Sequence, residues 1–345
     1  MFKDLLNKVA RGENLSEAEA VGVMELIMEG GATPAQIAGL LTALKLKGET
    51  IDEITGFARV IRSKATSVPS SHPLLVDTCG TGGDGANTFN ISTVTALVLA
   101  GVGVKVAKHG NRSVSSRCGS ADVLEALGVN LELEPGEVAA CLEQVGIAFL
   151  YAPALHGAMK HAAGPRRELG FRTVFNILGP LTNPAGARAQ VLGVYSGPLV
   201  RVMAEVLLRL GAERAFVVHS SGGLDEVSPV GPAAICEIRN GQVYEYVLDP
   251  AVYGFANVTV EALSGGSPAE NAVIAQSILA GEPGPRRDAV LMNAALGIMA
   301  AGAARDFAAG LELAARSIDN GLARAKLEEL IRFTNGGRKA RAAGL

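Results

Sequence analysis

The chain has 345 residues, of which 48% are hydrophobic and only 19% are charged, a composition that excludes an intrinsically disordered protein. The net charge of −3 provides no global positive field of the kind that holds nucleic acid or an anionic membrane. Four scattered cysteines without a C-x-x-C pair, apolar stretches too short to span a bilayer and an N-terminus without a signal-peptide core together predict a cytoplasmic protein.

Residues 1–66 have the pattern of a small helical domain. Three capping boxes begin at Ser16, Thr33 and Thr50, each with a Glu or Gln three residues later. Between them apolar residues recur at helical spacing, which predicts one buried face for each helix. The polar run over residues 67–73 predicts a linker or hinge between this segment and residues 74–345.

From residue 74 onwards, short β-branched runs alternate with Ala- and Leu-rich runs, which predicts a mainly parallel sheet with helices on both faces. The predicted strands are residues 74–77, 102–107, 147–151, 190–195 and 215–219. Helices are predicted to begin near Ile91, Ser120, Pro135 and Pro198, and residues 268–330 are again helical. Because ligands bind beyond the carboxyl ends of such strands, a functional site is expected in the loops that follow them.

The loop over residues 77–93 is rich in glycine and joins a predicted strand to a predicted helix. Its glycines let backbone N–H groups approach an anion, and Asn90, Ser92 and Thr93 lie where the start of a helix favours phosphate. The loop lacks the Gly-Lys-[Ser/Thr] ending of a Walker loop. These features favour an anion site, and a plain glycine-rich turn with a helix cap is the alternative.

A nicotinamide site is disfavoured for the same loop. Its glycines match G-x-G-x-x-G, but such a site also needs an acidic residue about 20 positions later for the ribose hydroxyls. No Asp or Glu lies between Asp84 and Asp122, and that interval is basic instead.

The basic loop over residues 108–116 follows the second predicted strand. In a parallel sheet it would lie beside the glycine-rich loop, where its cations, amide and hydroxyls complement a phosphorylated ligand. A solvated basic turn is the alternative for this loop alone. Two anion-type loops at the ends of successive strands favour a ligand.

Acidic and basic side chains further along the chain leave more than one interpretation open. The Asp225–Glu226 pair follows the last predicted strand on a glycine-rich surface loop, and it fits either Mg²⁺ or a solvated acidic turn. His156 and His161 are five residues apart and lack a partner acid, so zinc is disfavoured. Arg166, with its neighbour Arg167, can be a solvated pair or a ligand.

Taken together, these segments closely resemble the anthranilate phosphoribosyltransferase family. The resemblance covers nearly the whole chain, and one departure is Gly157, where the family usually has proline. The segments that carry the resemblance are the glycine-rich loop and residues 108–113, 119–128, 156–160, 166–170, 176–184, 223–226 and 287–295.

The resemblance implies a small N-terminal helical domain plus a large α/β domain with a mainly parallel central sheet, of the nucleoside phosphorylase or phosphoribosyltransferase type. It implies an enzyme that transfers the 5-phosphoribosyl group from 5-phosphoribosyl 1-diphosphate to the amine of anthranilate, in tryptophan biosynthesis. It also implies Mg²⁺, with two ions per subunit, and a homodimer formed through residues 1–66. Residues 160–186 are expected to pack against the helical domain.

The same resemblance assigns residues to each ligand. Lys108 and Arg112 are expected to stabilise the departing diphosphate electrostatically, and no residue is expected to act as general acid or base. Mg²⁺ is assigned to Ser92, Asp225 and Glu226. Anthranilate is assigned to Gly80, Asn111, His156 and Arg166. The phosphoribosyl donor is assigned to Gly80, Gly83, Asp84, Thr88, Asn90, Ile91, Ser92, Thr93, Lys108, His109, Gly110, Asn111, Arg112, Ser113, Val114, Ser115, Ser116 and Ser120.

Two other functions share this architecture. A pyrimidine nucleoside phosphorylase would cleave thymidine with phosphate, and the acceptor-side Asn111 and Arg166 argue against it. A non-catalytic nucleic-acid-binding relative would be basic and would lack the Asp225–Glu226 pair, whereas this chain is slightly acidic and has it.

Overall fold

The structure, a computed structural model, describes residues 1–113 and 117–342, with side chains up to residue 336. The predicted donor residues Val114, Ser115 and Ser116 lie outside the described residues.

The helical segment at the N-terminus consists of α1 (Phe2–Ala10), α2 (Glu17–Met28), α3 (Pro34–Lys47) and α4 (Ile51–Lys64). The three predicted capping boxes are confirmed: Ser16, Thr33 and Thr50 each accept a hydrogen bond from the backbone N–H three residues later, and the side chain there accepts one from the cap N–H.

The remaining helices lie in the α/β region, and the predicted helix starts there are confirmed. They are α5 (Ile91–Gly101), α6 (Ser120–Ala126), α7 (Pro135–Val145), α8 (Ala152–Leu155), α9 (Lys160–Leu169), α10 (Phe175–Leu178), α11 (Leu199–Arg209), α12 (Pro268–Leu279), α13 (Pro285–Ala300), α14 (Phe307–Asp319) and α15 (Leu322–Ala342). Among the described residues no helix is both long and apolar enough to cross a bilayer.

The central sheet has the order β3-β2-β1-β4-β5-β6-β7, counting only strands in the described residues. The first five strands pair in parallel, and β6 and β7 pair antiparallel at one edge. The strands are β1 (Val76–Gly80), β2 (Val106–Gly110), β3 (Ile147–Tyr151), β4 (Ala189–Gly193), β5 (Arg214–Ser220), β6 (Ala233–Arg239) and β7 (Gln242–Leu248).

The predicted boundaries of the first two strands are wrong by several residues. Both strands continue into segments predicted as loops, so Gly80, Lys108, His109 and Gly110 are strand residues. Residues 102–104, which were predicted to begin the second strand, instead close the last turn of α5, with Gly103 at a φ of 87°. Pairing of β1 with β4 and of β2 with β3 supplies the hydrogen bonds that hold Gly80 and Lys108 in an extended conformation, and this overrides the weak strand propensity of glycine and lysine.

Two hydrophobic clusters cover the two faces of the sheet. One contains α5, α7 and the C-terminal helices. The other contains the faces of α2, α3 and α4, residues 174–181 and the inner face of α11, so the helical segment shares a core with the α/β region. Residues 162 and 174–181 belong to that second cluster, and α9 contacts α2 and α3.

Candidate active site

The glycine-rich loop lies where the strand order reverses, since β1 has β2 on one side and β4 on the other. Open α/β sheets bind ligands in the crevice at such a switch point. Thr81 fastens the loop to the end of β4, because its N–H donates to the Gly193 carbonyl at 2.9 Å and its Oγ1 accepts from the Tyr195 N–H at 3.1 Å. Gly82 and Gly83 have φ of 64° and 77°, in the left-handed region that favours glycine.

Three carboxylates meet against this loop. Oxygens of Asp84, Asp225 and Glu226 all lie within 4.8 Å of one another. The predicted surface loop for the Asp225–Glu226 pair is wrong, because the Asp225 side chain is buried and its Oδ2 accepts a hydrogen bond from the Gly82 N–H at 2.8 Å. Asp84, assigned above to the donor alone, thereby joins the candidate metal ligands.

Close packing fixes the segment that carries Asp225 and Glu226. A Cβ atom on Gly80 would collide with the Asp225 carboxylate, and one on Gly193 would collide with the Asp225 carbonyl. On the other side, Asn293 of α13 donates to the Val227 carbonyl at 2.6 Å and accepts from its N–H at 3.2 Å. The two carboxylates are therefore held in place by the sheet and by α13.

The electrostatics of the cluster fit a divalent cation. Burial, followed by repulsion from Asp84, raises the pKa of Asp225 to about 6, and burial and repulsion from Asp225 and Asp84 raise the pKa of Glu226 well above its usual value. Asp84 Oδ2 is buried and has no hydrogen-bond partner among the described atoms. Mg²⁺ prefers oxygen ligands, and its charge would offset the repulsion between these clustered carboxylates.

Lys108 and Ser92 complete this side of the site. The buried Lys108 ammonium donates to the Thr78 carbonyl at 2.6 Å and lies 3.4 Å from Ser92 Oγ. Burial lowers the pKa of Lys108, against the opposing effect of nearby acidic groups. Ser92, in the first turn of α5, lines one small cavity together with Asp225 and Glu226.

A buried pair of histidines lies behind Lys108. His109 Nε2 and His156 Nε2 are 3.2 Å apart. Burial, with repulsion between the rings, lowers the pKa of His109 to about 3, and burial lowers that of His156 to about 4. The Asp77 carboxylate accepts a hydrogen bond from the backbone N–H of His109 at 3.1 Å and another from Asn183 Nδ2 at 2.8 Å.

The remaining predicted donor residues line the loop and the two helix starts. Asn90 donates to the Cys118 carbonyl at 3.1 Å and accepts from Asn271, and Ser120 donates to the Asn111 carbonyl at 3.2 Å. The glycine-rich segment contains four more of these residues. Gly83 lies in the loop, Thr88 forms an isolated bridge with Ser264, and Ile91 and Thr93 are buried in α5. Gly110 ends β2, and the Ser113 N–H donates to Asp122 at 3.0 Å.

Arg112 is not brought to the glycine-rich loop. Its guanidinium pairs with Asp122 and Glu125 and donates to the Tyr151 hydroxyl at 3.2 Å. These partners occupy the donors that the predicted diphosphate contact needs.

The predicted acceptor residues lie on separate segments. Arg166 is on α9 with its guanidinium carbon 5.0 Å from the centre of the Phe175 ring, and burial lowers its pKa. Asn111 is exposed just after β2, and Gly80 ends β1. No hydrogen bond joins Arg166 to Asn111 or His156 in the described part of the chain.

Sequence reasoning missed Asp77, Asn183 and Arg172. Asp77 was seen only as the end of a strand, and Asn183 lies over one hundred residues away in the sequence. Arg172 extends over Gly83 and stacks on Tyr195, with its guanidinium carbon 4.7 Å from the ring centre. The one sequence signal for Asp77 was an acidic residue between the β-branched residues Val76 and Thr78.

Comparisons with known proteins agree with this architecture. Residues 72–324 match the model of the glycosyl transferase family a/b domain, and residues 3–65 match that of the family's helical bundle domain. An anthranilate phosphoribosyltransferase of Pelotomaculum thermopropionicum is 66% identical over 97% of both chains. The chain belongs to the anthranilate phosphoribosyltransferase family.

Solved structures of the family have the same fold. The anthranilate phosphoribosyltransferase of Thermus thermophilus matches with a TM-score of 0.91 at 47% identity, over 96% of this chain and 99% of that one. The Saccharomyces cerevisiae enzyme in complex with PRPP and Mg matches with a TM-score of 0.88 at 28% identity, over 97% and 98% of the two chains. The predicted fold class and the predicted activity, phosphoribosyl transfer to anthranilate in tryptophan biosynthesis, are confirmed by this membership.

Proposed function

We propose that the carboxylate cluster and the glycine-rich loop bind 5-phosphoribosyl 1-diphosphate with Mg²⁺, and that anthranilate binds beside Arg166. The observation that carries this proposal is the grouping of Asp84, Asp225 and Glu226 within 4.8 Å under a loop with positive-φ glycines. The S. cerevisiae relative has been solved with PRPP and Mg, and separately with 4-fluoroanthranilate, which supports the same ligands here.

Mg²⁺ would be held by Asp84, Asp225, Glu226 and Ser92, and two ions are proposed. When bound, it supplies positive charge to the diphosphate oxygens of the donor. The chain's own contribution is to hold these oxygens in a fixed array, since Gly193 and Asn293 leave their segment little freedom.

The rest of the donor site is proposed to work by positioning and electrostatics. In the transfer, the anthranilate nitrogen bonds to ribose C1 as the C1–oxygen bond breaks, and the electron pair leaves with diphosphate. The nitrogen loses a proton after the new bond has formed. Lys108 holds a fixed positive charge beside the start of α5, where backbone N–H groups also favour phosphate. Arg112 is paired with Asp122 and Glu125, so it would have to leave these partners to bind the diphosphate of the phosphoribosyl donor. Lys108 is therefore the better supported of the two cations.

Anthranilate is proposed to bind through its carboxylate to Arg166, with Asn111, Gly80 and His156 contacting the acceptor. The aryl amine is neutral at pH 7, so the reaction needs no strong base to create the nucleophile. This agrees with a site whose histidines have low pKa values and, among the described residues, no carboxylate hydrogen bonded to either ring.

The protein is also proposed to act as a homodimer in the cytoplasm, with residues 1–66, 67–73 and 74–345 as helical domain, linker and α/β domain. Its four cysteines are free thiols, which suits a reducing compartment. Leu46 of α3 is 83% exposed, which offers apolar surface on the helical domain to a second copy.

The metal assignment is tested with the double variant Asp225→Asn, Glu226→Gln. We expect Mg²⁺-dependent consumption of anthranilate, measured by the decrease in anthranilate fluorescence, to be abolished. The circular dichroism spectrum should stay that of the wild type. Calorimetric titration with Mg²⁺ and diphosphate should also lose its signal. The matched control is Glu312→Gln on the exposed face of α14, which should behave as the wild type. Near-normal turnover in a folded double variant would exclude the assignment.

A further inference from the structure

Arg172 is a basic residue that the assignments above leave without a role. It lies between α9 and α10 and is half-buried, and its side chain reaches across the glycine-rich loop. A Cβ atom on Gly83 would be 2.7 Å from the Arg172 guanidinium carbon and 2.8 Å from one of its terminal nitrogens. The guanidinium therefore lies directly on the loop backbone.

The guanidinium is oriented but unpaired. It stacks on the Tyr195 ring at 4.7 Å, and among the described residues it has neither a hydrogen bond nor a carboxylate within salt-bridge distance. Arg112, by contrast, has two carboxylates and a hydroxyl as partners. A half-buried guanidinium with five N–H donors and a fixed plane is suited to bind an oxyanion through two parallel hydrogen bonds.

The guanidinium of Arg172 lies beside the loop that is proposed to bind the phosphoribosyl donor. Gly83 precedes Asp84 of the carboxylate cluster, and Thr81 ties the same loop to Gly193 and to Tyr195, the residue on which Arg172 stacks. Arg172, Tyr195 and the loop thus form one packed unit at the carboxyl ends of β1 and β4. An anion held by the loop would lie next to the free face of the guanidinium.

We propose that Arg172 is a further donor-binding residue, whose guanidinium binds a phosphate group of 5-phosphoribosyl 1-diphosphate over Gly83. This rests on the proposed placement of the donor at the glycine-rich loop. It also gives a second reason for glycine at position 83, since any side chain there would displace the guanidinium as well as strain the backbone at a φ of 77°.

Steady-state kinetics separate this role from that of Arg166. Loss of a charge-assisted hydrogen bond costs roughly a 10- to 100-fold change in affinity. We expect Arg172→Ala to raise the KM for the donor by that factor and to change the KM for anthranilate by less than about twofold. Arg166→Ala should show the reverse, and Arg172→Lys should recover part of the loss because it keeps the charge without the fork. The exposed Arg167→Ala is the control and should match the wild type.

Direct binding gives a second readout that a purely structural role would not change. Titration of the Mg²⁺-loaded protein with inorganic diphosphate should become weaker in Arg172→Ala by a similar factor, with an unchanged melting temperature. An unchanged KM for the donor would overturn the proposal, and so would equal increases in both KM values with a lowered melting temperature.

Glu49 provides the test of the competing explanation. Glu49 lies on the helical domain near Tyr195. Burial is the largest effect on the pKa of Tyr195 and raises it; the Glu49 charge raises it further, and the Arg172 charge lowers it. If Glu49→Gln reproduces the kinetics of Arg172→Ala, Arg172 serves an ion pair across the cleft and the proposal is wrong. If the metal variant described above stays active, the metal assignment fails, while the diphosphate titration still decides the role of Arg172.

Discussion

The contact between His109 and His156 makes the stability of this protein depend on pH. Both rings are neutral and buried, and their pKa values of about 3 and 4 lie below the ordinary value of 6.5 for histidine. The unfolded chain therefore binds more protons than the folded one between about pH 4 and 6.5. The free energy of unfolding from this pair rises with pH through that window, and it is lost as the pH falls.

We predict that His156→Gln reduces this dependence. Glutamine does not titrate, and removing the second ring also lets the pKa of His109 rise, although the Lys108 charge still opposes its protonation. Urea unfolding at pH 7, 6 and 5 should show the wild type losing more stability on acidification than the variant. The difference between the two is the quantity to compare, because Asp77, with a pKa raised to about 6 by burial, contributes with the opposite sign. Parallel pH profiles would contradict the prediction.

Local sequence carries only part of the information on single residues. The glycine-rich loop and the Asp225–Glu226 pair could be recognised because neighbouring residues in the sequence are neighbours in the site. Arg172 and Asn183 could not, because each reaches its partner only after β1 and β4 have paired across more than one hundred residues. The burial of Asp225 was missed for the same reason, since it results from the backbone of Gly193 and not from any flanking residue.

At the level of elements, α4 is anchored to the α/β region by arginine. Arg62 donates to the Leu181 carbonyl at 2.6 Å and to the Leu210 carbonyl at 2.9 Å, and burial lowers its pKa to about 10. Arg59, one turn earlier, donates to the Arg209 carbonyl at 3.0 Å but is half exposed and pairs with Glu17. Both arginines bind carbonyls at the C-terminal end of α11, which also favours positive charge there.

We predict that Arg62→Met costs more stability than Arg59→Met. The first substitution removes the Arg62 donor from two part-buried hydrogen bonds, which costs about 1–3 kcal/mol. The second removes an exposed pair, which is worth about 0–1 kcal/mol. Urea unfolding of the two variants measures the difference, and equal losses would mean that Arg62 does not anchor the helical segment.

The helices could be predicted from sequence more reliably than the strands. Capping boxes and helical periodicity are local signals, and the starts of α5, α6 and α7 were correct to the residue. β1 and β2 were misplaced because their ends contain Gly, Lys and His, which become extended only through pairing with neighbours. The antiparallel strands β6 and β7 were missed, since β7 lies at the edge with most of its residues exposed and has no clear alternation of buried and exposed residues.

For the whole molecule, the proposed homodimer can be located more closely than the sequence allowed. Leu40 and Leu44 are buried in the core of the helical segment, so substitution there tests folding, whereas Leu46 is 83% exposed. We predict that light scattering at micromolar concentration gives about twice the chain mass of 35.4 kDa, and that Leu46→Asp lowers it towards one chain.

The control for this experiment is Val252→Asp, which changes an equally exposed residue beyond β7 and should leave the mass unchanged. A wild-type mass of one chain would exclude the dimer. An unchanged mass in Leu46→Asp would place the contact on another surface.

The shared core of the helical segment and α11 has a consequence for synthesis on the ribosome. The segment that covers α2, α3 and α4 extends to Leu207, roughly 140 residues after α4 has been made. At about 5–20 residues per second, the first helices leave the exit tunnel on the order of ten seconds before their covering layer. During translation the N-terminal segment is thus an incomplete domain with uncovered apolar side chains, and its completion depends on the second half of the chain.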